Sequence, residues 1–390
     1  MYLDSMITLS ASRILLHCRP FSVFRRNAIT EQIVVFASGR KGRPKQTGTD
    51  PGGCRKTSDH PPHDENCPFC LGNEHKTPKT LFQIDDAKGK TWECRVVRNA
   101  FPAVSPPEQD ESGYTVWNQS QFQGLSLGPN SERPAIGHHE VIIESPMHNS
   151  CTSKAAKSKI LNLVRSWHVR GNELAAGDKN LEHIVYFKNQ GAVAGASLIH
   201  PHAQLVGLPF VPRDVRVGQL SNMNYFLRKG RSVFDRVIEE ELSAGERIIE
   251  RNEEFISFVP FAATSPFNVW IMPLKSRANF LAAGTRELDL YAEILSSSLN
   301  KLDRVLSEPD MNILLKSAPL HGRHNQAAFN ADCYFRWYTT ITPRLGAGAM
   351  AGFELGSGIF SNGNVSFLFC FLFSLPLFAR SFCCLIANVS

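Results

Sequence analysis

Between Tyr186 and Leu205 an apolar segment, Tyr186-Phe187-Lys188-Asn189-Gln190, runs into the turn Gly191-Ala192-Val193-Ala194-Gly195-Ala196-Ser197 and re-emerges as Leu198-Ile199-His200-Pro201-His202-Ala203-Gln204-Leu205. That order predicts a strand, a glycine-rich turn and a second strand carrying both histidines. Side chains alternate along a strand, so His200, His202 and Gln204 are expected on one face, with Leu205 turning back toward the core. The bland alternative is a pair of satisfied surface histidines. Three polar groups on one strand face, directly after a glycine turn, point instead to a site.

The 390-residue chain is long enough for two domains, or for two halves of one larger unit. With 43% hydrophobic and 20% charged residues it has the composition of a globular protein. The net charge of +6 is modest, and Arg13, Arg19, Arg25, Arg26, Arg40, Lys41, Arg43 and Lys45 crowd into the first fifty residues. This suits a small anionic substrate better than nucleic acid, which needs a longer basic surface. Ten cysteines without regular spacing argue for a reducing compartment. Residues 1–26 hold Asp4 as their only acid among Ser, Arg and apolar residues. They are expected to be an organellar transit peptide (plastid or mitochondrial) or a disordered start, so the location is cytoplasmic or organellar. Folded chain is expected from Gln32-Ile33-Val34-Val35-Phe36, followed by the basic loop Gly39-Arg40-Lys41-Gly42-Arg43-Pro44. From Val365 to Ser390 the chain is Phe-, Leu-, Cys- and Ser-rich, but Pro376 and Arg380 interrupt it, and no membrane span is expected there.

Cys67-Pro68-Phe69-Cys70 can hold a tetrahedral metal from a tight turn or act as a redox pair. A redox pair is expected between a strand and a helix, whereas a long Pro-, Gly- and His-rich loop precedes this one, which favours zinc. Two further ligands are then needed, and His148 and His200 are the candidates.

Strands are expected over 92–99 and 137–144 and a helix over 153–176, with a polar loop over 105–133. The pattern then starts again. A helix near 231–242 precedes strands over 254–260 and 267–273, a helix over 286–306, and strands over 311–315 and 335–343. Strand, strand, helix, strand, strand thus occurs twice, which predicts an α+β fold built by duplication, with helices packed on antiparallel sheets. Arg336 to Thr340 takes the place in the second half that His200 to Gln204 holds in the first. The expected division is a leader over 1–26, a first half over 27–210 with the metal and the site, a second half over 211–364, and an apolar tail over 365–390.

Taken in order, Cys67-x-x-Cys70, Phe187-x-Asn189-x-Gly191-Ala192-x-x-Gly195-Ala196-Ser197-x-x-His200-Pro201-His202-x-Gln204 and Val259-Pro260-Phe261-Ala262-Ala263 resemble the galactose-1-phosphate uridylyltransferases of the histidine-triad superfamily. The chain also resembles their plant relatives that act as ADP-glucose phosphorylases. The resemblance covers about residues 27–364. It implies two histidine-triad-like units, His202 as nucleophile, and one zinc per chain on Cys67, Cys70, His148 and His200. It further implies phosphate contacts from Asn189 and Ser197, a nucleotide contact from Asn99, and a homodimer in which Arg40 and Arg43 reach a substrate across the interface.

Those residue types suit the implied chemistry. A neutral imidazole can attack the α-phosphorus of a nucleotide-sugar, expel the sugar 1-phosphate and hold the nucleotidyl group until a second phosphate takes it. The Gln204 amide and the N–H groups of Gly195-Ala196-Ser197 are expected to donate to the phosphoryl oxygens, and a glycine-turn carbonyl to fix the His202 tautomer. The expected activity is UMP transfer from UDP-glucose to galactose 1-phosphate by a ping-pong route. ADP-glucose phosphorolysis is the alternative, and a nucleotide-binding regulator without turnover the non-enzymatic one. One departure stands out. The second metal site of many family members lacks every ligand here, with no cysteine just before Val233, Leu274-Lys275-Ser276 after Pro273, and Arg336 at a histidine position.

Overall fold

The computed structural model describes residues 23–36, 59–106, 135–320, 330–345, 357 and 360–362. Their main feature is a ten-stranded sheet in which every neighbouring pair is antiparallel. Two short strands come first, β1 (Val23–Arg26) and β2 (Ile33–Phe36). The first half of the large sheet is β3 (Thr80–Asp85), β4 (Trp92–Arg98), β5 (His138–Ile143), helix α1 (Lys157–Gly177), β6 (His183–Gln190) and β7 (His202–Leu208). Helices α2 (Arg213–Lys229) and α3 (Val233–Ala244) follow. The second half repeats the first as β8 (Ile248–Arg251), β9 (Phe255–Phe258), β10 (Val269–Pro273), α4 (Thr285–Leu306), β11 (Met311–Lys316) and β12 (Tyr338–Pro343).

The strand order, β3-β4-β5-β7-β6-β11-β12-β10-β9-β8, is the same five-strand sequence read outward from the centre twice. The halves meet where β6 pairs with β11, with Asn189 opposite Asn312 and Phe187 opposite Leu314. The duplicated α+β architecture is therefore present, with one strand per half, β3 and β8, beyond those the sequence predicted. Both are short or half-exposed strands with mixed polarity, so their apolar alternation is weak.

Helices α1 and α4 lie side by side on one face of this sheet. Ile160, Leu163, Val164, Trp167 and Leu174 of α1 join Leu288, Tyr291, Leu295, Leu299 and Leu302 of α4 in one core with Ala203, Leu205, Ile313 and Ile341 from the strands. Each fully buried side chain of this size contributes about 1.5–3 kcal/mol, so this face fixes the strand register. Because Ala203 and Leu205 point into that core, His202 and Gln204 must point away from it. Helix α3 covers the second half on the other face through Val233, Phe234 and Ile238, its start capped by Ser232, whose side chain accepts from the Phe234 amide (3.1 Å). Helix α2 escaped prediction because its buried residues include Gln219 and Asn222 while Val217, Leu220 and Leu227 are exposed, which hides the usual apolar stripe.

Residues 23–26 of the segment expected to be a leader are folded, and residues 1–22 lie outside the described residues. β1 pairs with β2 through a turn in which Asn27 bonds Ile29 and Thr30, and β13 (Phe360–Asn362) adds to β2 in parallel. Arg25 anchors this small sheet by stacking over Phe36 and Phe261 (4.2 and 4.6 Å) and donating to the Phe261 carbonyl (3.0 Å). The tail over 365–390 lies outside the described residues. Among those residues no helix is long and apolar enough to cross a membrane.

The internal symmetry also explains Arg336. Like His200 before β7, it stands two residues ahead of β12. Its buried guanidinium donates to the carbonyls of Pro273 and Leu274 (2.8 Å each), at the end of β10, and pairs with Asp235 of α3. A guanidinium thus makes the cross-tie between α3, β10 and β12 at the place where the first half gathers metal ligands. Arg336→Ala leaves two carbonyls without this donor and is expected to lower stability by about 2–4 kcal/mol, read as a lower urea midpoint, with the metal content of the protein unchanged.

Candidate active site and metal centre

The loop before β3 folds back on the end of β5. His148 donates its amide to Pro62 (2.9 Å), Asn149 bonds His60 (3.2 Å), and the Asn73 side-chain amide ties together the carbonyls of Asp64, Glu65 and Cys67. This brings Cys67 and Cys70 to His148 and His200, and the four buried ligand atoms all lie within 4.8 Å of one another. All four metal candidates of the sequence reading therefore converge.

Their protonation pattern suits a metal. The Ser145 carbonyl lies 2.8 Å from His200 Nε2, and a carbonyl only accepts, so that nitrogen carries the hydrogen and Nδ1 is left bare. Nδ1 of His200 lies 3.7 Å from each sulfur, and Nδ1 of His148 lies 3.5 Å from Cys70 Sγ. A tetrahedral ion with bonds of about 2.3 Å to sulfur and about 2.0 Å to nitrogen separates such ligands by about 3.5 Å. Burial pushes the Cys67 thiol up to about 11 and the His200 imidazole down to about 4, so the site without a cation resists thiolate formation while keeping its histidine neutral. The donor set fits zinc, and four protein ligands would leave no position open for substrate.

His202 begins β7. His200 is on the turn before it, not in the strand as expected, because Pro201 has no N–H to give to a ladder. The two histidines are nonetheless joined: His202 Nδ1 donates to the His200 carbonyl (2.9 Å), which leaves Nε2 bare. The tautomer-fixing carbonyl is thus that of His200 and not one from the glycine turn. Phe69, inside the Cys67–Cys70 turn, packs edge-on against both rings, with centroids 5.9 Å from His200 and 5.4 Å from His202. Burial holds His202 below the usual imidazole range, and the Lys188 ammonium pushes the same way against the His200 hydrogen bond. A neutral, singly oriented imidazole is the form a nucleophile needs.

Beside it opens a cavity of about 320 Å³ lined by His202, Asn189, Gly191, Ala192, Asp310 and His60, among others. Gly191 has φ 82°, and a Cβ there would fall 1.9 Å from the Asp310 carboxylate, so the close approach requires glycine. Asp310 in return accepts from the Val193 amide (2.7 Å). The Gly195 and Ala196 amides are consumed inside the turn by the carbonyls of Ala192 (3.0 Å) and Gly191 (3.1 Å), so they are not the free phosphate donors expected. Gly195 and Ser197 are exposed and do not line this cavity, and Gln204, two residues beyond His202 on the same face of β7, lies outside its lining as well.

Side chains remain as donors. Arg344 Nε donates to Asn312 Oδ1 (2.5 Å), which turns the Asn312 amide nitrogen toward the Ala194 carbonyl (2.9 Å) and Asn189 Oδ1 (2.8 Å). The oxygen of Asn189 is thereby occupied and its N–H pair is left for a ligand. The second half, which has no catalytic motif, thus sets the polarity of an amide in the first. Arg40 and Arg43 lie outside the described residues.

Sequence reasoning missed one buried ion pair. Lys188 lies under His202, 1% exposed, with Nζ 2.7 Å from Glu144 Oε1 and 3.1 Å from the His202 carbonyl, while Thr152 donates to the other Glu144 oxygen (2.7 Å). Its position inside the Phe187-x-Asn189 motif was the only signal. Lys188→Ala leaves a buried carboxylate without its cation and is expected to destabilise by about 3–5 kcal/mol. Lys188→Met combined with Glu144→Leu is expected to recover much of that loss in the same urea titration.

With this geometry established, comparisons with known proteins place the chain. The family profile for galactose-1-phosphate uridyl transferase, N-terminal domain, matches residues 20–212. An ADP-glucose phosphorylase of Arabidopsis thaliana is 30% identical over 339 residues, covering 87% of this chain and 88% of the relative. The chain belongs to the galactose-1-phosphate uridylyltransferase family. A galactose-1-phosphate uridylyltransferase of Thermotoga maritima is 24% identical, covering 87% of this chain and 93% of that relative. The crystal structure of an Arabidopsis thaliana ADP-glucose phosphorylase with bound ADP-glucose superposes with a TM-score of 0.71 at 26% identity, covering 92% of this chain and all of that one. The likeness spans both halves, so this family member carries the whole duplicated unit.

Proposed function

We propose that this protein transfers a nucleotidyl group from a nucleotide-sugar to a phosphate acceptor through a covalent intermediate on His202. The observation that carries the reading is the His202 ring itself, its Nδ1–H held by the His200 carbonyl and its Nε2 bare beside the cavity. In the first step Nε2 forms a bond to the α-phosphorus, the bond to the bridging oxygen breaks, and the sugar 1-phosphate leaves with the electron pair. In the second step an acceptor phosphate oxygen attacks and the phosphorus–nitrogen bond breaks. Asn189 and Gln204 donate to the non-bridging oxygens as their charge grows. One zinc on Cys67, Cys70, His148 and His200 has a structural role, holding the His200 carbonyl and Phe69 where they orient His202.

Of the two donor and acceptor pairs, ADP-glucose with inorganic phosphate now ranks ahead of UDP-glucose with galactose 1-phosphate. The 30% identity to the ADP-glucose phosphorylase, against 24% to the Thermotoga maritima uridylyltransferase, supports this order. The products are then ADP and glucose 1-phosphate. The test is incubation of the protein with α-labelled ADP-glucose or UDP-glucose, each with phosphate or galactose 1-phosphate. ADP formation from ADP-glucose and phosphate is expected to be fastest. Faster transfer from UDP-glucose to galactose 1-phosphate reverses the assignment. A homodimer in which the loop bearing Arg40 and Arg43 serves the neighbouring site completes the reading, with sedimentation of the full chain as its check.

A further inference from the structure

His139 lies on β5 directly opposite Val206 of β7, outside the metal cluster, and contributes nothing to the scheme above. Its ring nitrogens are nevertheless both engaged. The Ala103 backbone amide points at Nδ1 (3.0 Å). A backbone amide can only donate, so Nδ1 must be bare and the hydrogen of the ring must sit on Nε2. Nε2 lies 2.8 Å from Gln204 Oε1. An N–H facing an amide selects its oxygen, so the Gln204 oxygen is turned to His139 and its NH₂ group is turned away.

The Asn99 amide also lies 3.1 Å from His139 Nε2, and its own oxygen is taken by the Phe101 amide (2.9 Å). With Nε2 already donating to Gln204, the Asn99 amide nitrogen finds no acceptor on that atom. The segment from Asn99 to Ala103 is held to β5 at both ends by the same residue, since the Asn99 amide donates to the His139 carbonyl (2.8 Å).

We propose that His139 is a positioning residue, which reads the Ala103 amide through one ring nitrogen and with the other fixes the Gln204 amide with its donors toward the transferred phosphoryl group. This rests on the nucleotidyl-transfer reading and extends it by one residue. Without the imidazole the Gln204 amide has two nearly equal orientations, and one of them presents an oxygen to a phosphate oxygen. The relay acts on the step in which charge grows on the non-bridging oxygens, so it affects the rate of transfer more than the affinity for the nucleotide-sugar.

The test is a double-mutant cycle on the zinc-loaded protein, following formation of the labelled nucleotidyl-protein in a single turnover. His139→Phe is expected to slow that step by about 10–100-fold, and Gln204→Ala by about 100-fold, with little change in the concentration of nucleotide-sugar giving half-maximal rate. In the Gln204→Ala background, adding His139→Phe is expected to slow it by less than about threefold, because the group it positions is gone. Losses that multiply overturn the proposal and leave His139 as a merely structural residue. A second measurement does not need turnover: ¹⁵N NMR of histidine-labelled protein is expected to show His139 protonated on Nε2 and bare on Nδ1, and the opposite tautomer overturns the relay. A wild-type protein that forms no nucleotidyl-protein sinks the transfer reading and the catalytic consequence together, a result distinct from either of these.

Discussion

His202→Gly is expected to reduce turnover by at least about 10⁴-fold while leaving the fold and the metal in place. The side chain projects from the helix-free face of β7 and is not part of the core beneath α1 and α4, so its loss opens space beside the cavity without removing core packing. Added imidazole is expected to restore part of the activity by occupying that space. Free imidazole can still donate to the His200 carbonyl but lacks the covalent tether to the backbone, so rescue remains incomplete. The wild type is expected to show ping-pong kinetics and to trap a nucleotidyl group that is acid-labile and base-stable, as a phosphoramidate is. Near-normal transfer by His202→Gly, or exchange without any nucleotidyl-protein, means that the two substrates react directly and that His202 only binds.

Much of this site could be read in the sequence because its parts are local. A glycine turn followed by His-Pro-His-x-Gln fixes strand polarity and side-chain direction within about ten residues, and the C-x-x-C spacing leaves few choices of ligand. The duplicated order of elements was equally readable, since α1 and α4 carry strong apolar stripes. What escaped depends on register between strands far apart in the chain. Asn312 meets Asn189 only because β11 pairs with β6, and His139 meets Gln204 only because β5 pairs with β7. Hydrogen-bond direction is also invisible in a sequence. The Gly195 and Ala196 amides looked like phosphate donors until the carbonyls that consume them were located, and the histidine hydrogens were assignable only once Ser145, Ala103 and the His200 carbonyl were in place.

Cys70→Ser is expected to lower stability and metal content together. Cys70 is fully buried, touches both histidines of the cluster and accepts from the Asp64 amide (3.4 Å), so it joins the 59–76 loop to the ends of β5 and β7. A hydroxyl is a poor zinc ligand, and the three remaining side chains cannot close a tetrahedron alone. Metal content is expected to fall from about one zinc per chain to under about a tenth, and stability by about 3–5 kcal/mol, since binding energy is folding energy where ligands come from separate segments. Prolonged chelation of the wild type is expected to give the same loss, and added zinc to reverse it. Activity is expected to follow the metal without the metal touching substrate, because the His200 carbonyl that fixes the His202 tautomer and the Phe69 ring that backs it both belong to the tied segments. Elemental analysis showing two metals per chain, or a stable and active protein with none, rules out a single structural zinc. A Cys70→Ser protein that keeps its stability but loses turnover in proportion to zinc points instead to an ion that takes part in the chemistry.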